Sequence, residues 1–145
     1  MSLPRRFLLL LIGALTMGTV AFAVEGQSKY QYITAQALQE RLTAGQPTNL
    51  VDIQVEEEFA KQHIKGAVPT YAYPVKSADD TAKLDAVVGK LKANNDPVVI
   101  VCPRGAGGAT RTYDYLLTRG IAAERLLILE KGQEGWACAP LTEGK

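Results

Sequence analysis

Pro97-Val-Val-Ile-Val-Cys102-Pro-Arg-Gly-Ala-Gly-Gly108 is the stretch whose reading decides the fold. Four consecutive β-branched residues run straight into a cysteine and a glycine-rich loop, the pattern of a buried strand that presents a thiol at its C-terminal end. Ala109 to Arg119 then carries Tyr113, Leu116 and Leu117 at helical spacing and stops at Gly120, so the same loop opens a helix. Glycines at 105, 107 and 108 allow the loop to curl with its N–H groups turned inward, and the helix start adds the positive end of its dipole. A thiolate at Cys102, the nucleophilic form of the residue, is stabilised in such a place. Read locally, the stretch fits a buried structural cysteine before a turn equally well.

Working outward, segments of strand and helix character alternate. Tyr30 to Ile33 reads as a short strand, and Thr34 caps a helix running to Ala44. Leu50-Val-Asp52-Ile53 is an apolar strand with one charged member, and the three glutamates 56 to 58 open a helix over Val55 to Gln62. Gly66 to Pro74 reads as an extended piece with an irregular end. Ser77 and Asp80 have the spacing of a capping box, and Leu84, Val87, Val88 and Leu91 form the apolar stripe of the helix that follows. Beyond the cysteine loop come a strand over Leu126 to Leu129 and a short terminal helix over Gly132 to Cys138, which holds the only tryptophan. Such alternation predicts an α/β domain: a central, mostly parallel five-stranded sheet with helices on both faces. Ligand sites in such sheets form beyond the carboxyl ends of the strands, where Asp52 and Cys102 both fall.

The first residues read as a secretory signal peptide. Arg5-Arg6 precedes an apolar run from Phe7 to Val20, and Ala21-Phe22-Ala23 supplies the cleavage site, with cleavage expected after Ala23. Residues 1–23 are thus a signal peptide, 24–29 a flexible lead-in and 30–145 a single domain, periplasmic or secreted. If the segment stays uncleaved, residues 7–24 have the minimal length of a membrane anchor. A net charge of +1 points to neither nucleic acid nor a charged membrane surface. Two cysteines in an exported chain raise the alternative of a Cys102–Cys138 bridge. One histidine, His63, rules out a multi-histidine metal site.

Three ordered segments resemble the rhodanese-like sulfurtransferases. The first is Leu50-Val-Asp52 leading to Glu58-Phe59 and His63-Ile64-Lys65-Gly66-Ala67; the second is the strand ending in Cys102; the third is Gly132-Gln-Glu-Gly-Trp136. The resemblance implies a rhodanese-like domain in which Cys102 takes a sulfane sulfur from a small donor such as thiosulfate, holds it as a persulfide and passes it to a thiol or cyanide. Neither a metal nor an organic cofactor is expected. Cys102 is the catalytic residue in this reading, and Pro103, Arg104, Gly105, Ala106, Gly107 and Gly108 form the substrate-binding loop, with Arg104 steering an anionic donor.

Asp52 and Arg111 support the site, Asp52 by hydrogen bonding to the loop. Cys138 is a candidate resolving thiol, and a thioredoxin-like reductant is expected as partner. Relatives often carry an arginine near the end of the loop, where this chain has glycine. A cysteine-dependent phosphatase requires C-x5-R, but the sixth residue after Cys102 is Gly108 and Arg111 lies one helical turn further on. Two other readings stay open: a noncatalytic binding module of the same fold, and a thiol redox protein using Cys102 with Cys138.

Overall fold

Eleven regular elements organise the chain in a computed structural model that describes residues 28–145. The expected signal peptide and most of the lead-in lie outside the described residues. The elements are β1 (Tyr32–Ile33), α1 (Ala35–Thr43), β2 (Asn49–Asp52), α2 (Glu56–Lys61), β3 (His63–Ile64), β4 (Val68–Pro69), α3 (Ala78–Lys92), β5 (Val98–Val101), α4 (Gly107–Thr118), β6 (Leu126–Leu129) and β7 (Thr142–Glu143). β1, β6, β5, β2 and β4 lie side by side in that order, and every pairing in this sheet is parallel. The β-branched run at 98 to 101 is the central strand and is buried throughout, as a strand covered on both faces requires.

Alternation along the strands divides the core in two. Val51, Ile53, Val98, Ile100 and Cys102 pack with Leu84, Val87 and Leu91 of α3 and with Ala109, Tyr113 and Leu116 of α4. Leu50, Val99 and Val101 pack on the other face with Leu38 of α1, Ile64, Leu129 and Trp136. The expected α/β fold with helices on both faces is therefore the fold observed.

Helix starts follow their local chemistry. Thr34 accepts from the Ala37 N–H at 3.1 Å, and Ser77 with Asp80 forms the expected capping box: Ser77 Oγ accepts from the Asp80 N–H at 3.1 Å, while Asp80 Oδ2 accepts from the Ser77 N–H at 3.2 Å. Ser77→Ala removes the first of these bonds and is expected to cost about 1 kcal/mol. Urea unfolding checks this as a lower midpoint with an unchanged slope.

Two sequence expectations need correction. Gly132 to Cys138 forms no terminal helix: Gln133–Gly135 is a single 3-10 turn, entered through Gly132 at φ +57° and left through an extended Trp136. The extended piece at 66 to 74 is a strand only at Val68–Pro69. In addition, β7 returns antiparallel to β3 as a second, two-stranded sheet. Strands of two residues are too short to leave a periodic trace in the sequence.

Candidate functional site at the end of the central strand

Cys102 directly follows β5, and parallel register sets its environment. Asp52 of β2 is paired with Val101, which places Ile53 beside Cys102. Ile53 and Cys102 thus face α3 and α4 together, and Asp52 and Val101 face the opposite side. The loop from Pro103 to Ala106 carries the chain from β5 to Gly107, the first residue of α4, which has no side-chain cap.

Cys102 is 2 % exposed, yet it lines a cavity of about 160 Å³ together with Tyr73, Pro103, Arg104, Ala106, Gly107, Gly108 and Arg111. The Gly105 N–H donates to its Sγ at 2.9 Å. That bond makes the sulfur an acceptor beside the uncapped start of α4. Every residue of the expected loop except Gly105 borders this cavity, and Gly105 contributes its amide from behind.

The loop is held from below by the segment after β6. The Gln133 N–H donates to the Cys102 carbonyl at 2.8 Å and the Glu134 N–H to the Pro103 carbonyl at 3.0 Å. This close approach needs residues without Cβ. A Cβ at Gly105, which sits at φ +71°, would come within 2.7 Å of the Leu129 carbonyl oxygen, and a Cβ at Gly132 within 2.7 Å of the Arg104 and Gly105 nitrogens. The third segment of the rhodanese resemblance is thereby the floor of the cysteine loop. Its tryptophan is 3 % exposed and donates from Nε1 to Thr142 Oγ1 at 3.0 Å, a core role.

Arg111 reaches the cavity from the first turns of α4. Its Nε and Nη2 both donate to the Pro74 carbonyl, at 3.1 and 2.8 Å, across from the cis Tyr73–Pro74 peptide. A Cβ on Gly107 would lie 2.7 Å from Arg111 Nη1 and one on Gly108 3.0 Å from the Tyr73 ring, so the glycines leave room for these two side chains. Arg104 is exposed and stands 3.8 Å from Glu134.

Three expectations are corrected here. Asp52 does not bond to the cysteine loop; its carboxylate accepts from the Gln54 backbone N–H at 2.8 Å and from Gln54 Nε2 at 3.0 Å, because alternation turns it away from Cys102. Cys102 and Cys138 are both free and belong to clusters on opposite faces of the sheet, so the structure brings together neither a bridge nor a resolving pair. Among the loop amides, only that of Gly105 bonds to the sulfur. His63 is also removed from the cavity: it stacks on Phe59 at 3.9 Å, its Nδ1 bonds to the Phe59 carbonyl and its Nε2 faces Glu143 at 3.5 Å.

Burial pushes the Asp52 carboxyl up from 3.8 to about 6, against the lowering effect of the two Gln54 bonds and of His63. The folded protein therefore binds this proton more readily than the unfolded chain does. The contribution of Asp52 to stability is full below pH 3.8 and is lost as pH rises through about 6, a span corresponding to about 3 kcal/mol. Asp52→Asn is expected to flatten the stability profile between those limits, as checked by urea unfolding at a series of pH values. An unchanged slope contradicts the assignment.

Sequence reasoning passed over Gln54, Lys61, Gln62, Gln133 and Glu134, which with Glu58 and the cavity residues Tyr73, Pro103 and Arg104 line a neighbouring cleft of about 480 Å³. The available signal was the third motif itself, since Gln133 and Glu134 follow the glycine that packs beneath Cys102.

Residues 34–139 match the rhodanese-like domain family, and the chain belongs to it. Solved structures agree on the fold. One is a Saccharomyces cerevisiae homolog of single-domain rhodanese and the Cdc25 phosphatase catalytic domain, with TM-score 0.64, 18 % identity and coverage of 80 % of this chain and 88 % of that one. A rhodanese-like domain protein from Staphylococcus aureus has TM-score 0.55 and 26 % identity over 79 % of this chain and 98 % of the other. A thiosulfate sulfurtransferase from Pseudomonas aeruginosa is similar at TM-score 0.58 and 20 % identity over 79 % of this chain, which corresponds to 20 % of that longer one. Comparison with curated proteins found no match.

Proposed function

We propose that the protein is a sulfurtransferase working through a Cys102 persulfide. The observation that carries this reading is a thiol on the floor of a small cavity, with the Gly105 amide on its sulfur and a helix N-terminus beside it. The Cys102 thiolate attacks the outer sulfur of thiosulfate. A new S–S bond forms at Cys102, the old one breaks, and its electron pair leaves with sulfite. An acceptor, cyanide or a thiolate, then attacks the outer sulfur of the persulfide, and the electron pair of that bond returns to Cys102. The sequence adds nothing that requires a metal or organic cofactor for these steps.

The Gly105 amide that donates to the sulfur serves the persulfide anion as well, because charge stays beside the same donor through both steps. Arg111 adds a fixed positive charge at the cavity wall, and exposed Arg104 stands at its mouth to meet an anionic donor. An exported enzyme of this kind needs its thiol kept reduced, which assigns a thioredoxin-like reductant as partner outside the cytoplasm.

The test is thiocyanate production from thiosulfate and cyanide by the reduced protein, with p-nitrophenyl phosphate offered in parallel. Thiocyanate without phosphate release is expected, because two of the three Arg111 nitrogens are already committed to Pro74 and no fork faces the sulfur. Phosphate release without thiocyanate overturns the proposal.

A further inference from the structure

Two spaces meet at the end of β5. The Cys102 cavity, about 160 Å³, falls short of the roughly 300 Å³ at which pockets begin to hold organic ligands, whereas the cleft beside it, about 480 Å³, does not. Tyr73, Pro103 and Arg104 line both. Arg104 is no barrier between them, because its side chain is 64 % exposed and stands a loose 3.8 Å from Glu134. Pro103 is compact and bound into the loop, its carbonyl accepting from the Glu134 N–H at 3.0 Å. The bulky group at the boundary is the Tyr73 ring.

That ring is held in place against local preference. Tyr73 lies between β4 and α3, and its N–H donates at 2.8 Å to the carbonyl of Ile53, the residue beside Cys102. Two positions to either side, Tyr71 at φ +57° and Val75 at φ +59° occupy the left-handed region, which is unfavourable for any residue with a Cβ and most of all for a β-branched one. The surroundings enforce this path: Ala72 and Val75 are buried in the core, and the Arg111 fork grips the Pro74 carbonyl. The start of α4 gives way as well. Glycine is a poor helix former, yet Gly108 stands in the first turn, and a Cβ there would come within 3.0 Å of Tyr73 Cδ2 and 3.1 Å of Cε2. Two left-handed residues and a helical glycine together set an aromatic ring at the wall of the thiol's cavity.

We infer that Tyr73 is a specificity-determining residue: its ring shuts the Cys102 cavity off from the cleft, so that the sulfur donor is a small inorganic oxoanion such as thiosulfate, and donors with a bulky organic substituent are turned away. The inference rests on the persulfide reading of Cys102 for its chemistry. An organic thiosulfonate reacts by the same steps as thiosulfate. The Cys102 sulfur attacks the outer sulfur, a new S–S bond forms, the old one breaks, and its electron pair leaves with a sulfinate in place of sulfite. Comparing the same donors on wild type and variant cancels their intrinsic reactivity and leaves the effect of the wall.

The test measures thiocyanate formation by the reduced protein with cyanide as acceptor and thiosulfate, methanethiosulfonate or benzenethiosulfonate as donor. With wild type, kcat/KM for benzenethiosulfonate is expected to lie at least about tenfold below that of either other donor. Tyr73→Ala is expected to raise the ratio of benzenethiosulfonate to methanethiosulfonate about tenfold, and Tyr73→Phe, which keeps the ring, to leave that ratio at the wild-type value. Wild type that uses benzenethiosulfonate as well as the smaller donors, or a Tyr73→Ala protein that lowers all donors alike, overturns the inference.

Thiol labelling reads the same wall without turnover and with Tyr73 in place. In Cys138→Ser, where Cys102 is the remaining thiol, methyl methanethiosulfonate is expected to modify Cys102 at least about tenfold faster than benzyl methanethiosulfonate, each rate taken relative to free cysteine and followed by intact mass. Equal relative rates overturn the inference even if Tyr73→Ala does not fold. If no donor gives thiocyanate with wild type, the proposed function falls, and the labelling comparison decides on the wall by itself.

Discussion

Cys102→Ser is expected to lower sulfur transfer from thiosulfate to cyanide by at least ~10⁴-fold, to the level of the uncatalysed reaction. A serine hydroxyl in the same place still accepts the Gly105 N–H, so the loop keeps its hydrogen bond. What it lacks is a sulfur able to form the S–S bond of the intermediate. The effect therefore falls on chemistry and not on folding, and the unfolding midpoint of the variant should stay close to that of wild type. Thiocyanate formation, measured beside urea unfolding, checks both halves. Retained transfer in the serine variant would move the nucleophile elsewhere, and Cys138, the other free thiol, packs on the far face of the sheet.

Gly132→Ala should bring the second-largest loss, about 3 kcal/mol or more of stability together with most of the activity. Gly132 sits at φ +57° and ψ −152°, a combination open to glycine and to almost nothing else. A methyl group there would run into the Cys102 carbonyl and come within 2.7 Å of two loop nitrogens. The chain can relieve this only by moving the Cys102 loop away from the segment after β6, breaking the bonds from Gln133 and Glu134 to the carbonyls of Cys102 and Pro103. Thermal unfolding and turnover should fall together. A stable variant with normal activity would show that the loop does not depend on this floor.

Much of the site was legible because strong local signals agree with the tertiary structure. The run Val98 to Val101 is buried on both sides and so has no polar alternation, which marks it in the sequence as a buried strand. The glycines after Cys102 reported a loop that bends tightly against side chains, and Arg111 and Tyr73 are those side chains. What stayed hidden depends on contacts far apart in sequence. Asp52 falls at the carboxyl end of a strand near the cysteine loop, which suggests a bond to that loop, but one residue of alternation sends it to the opposite face. The joining of β7 to β3 and the cleft between Gln54 and Gln133 arise from segments separated by most of the domain, and no periodicity records such pairings.

Cys102 as an amide-cradled, sulfur-accepting thiolate is best tested by intact-mass analysis of the reduced wild-type protein after incubation with thiosulfate. A gain of one sulfur atom, removed by cyanide and absent from Cys102→Ser while retained in Cys138→Ser, is the predicted result. No sulfur adduct on wild type, or an adduct that survives in Cys102→Ser, contradicts the account.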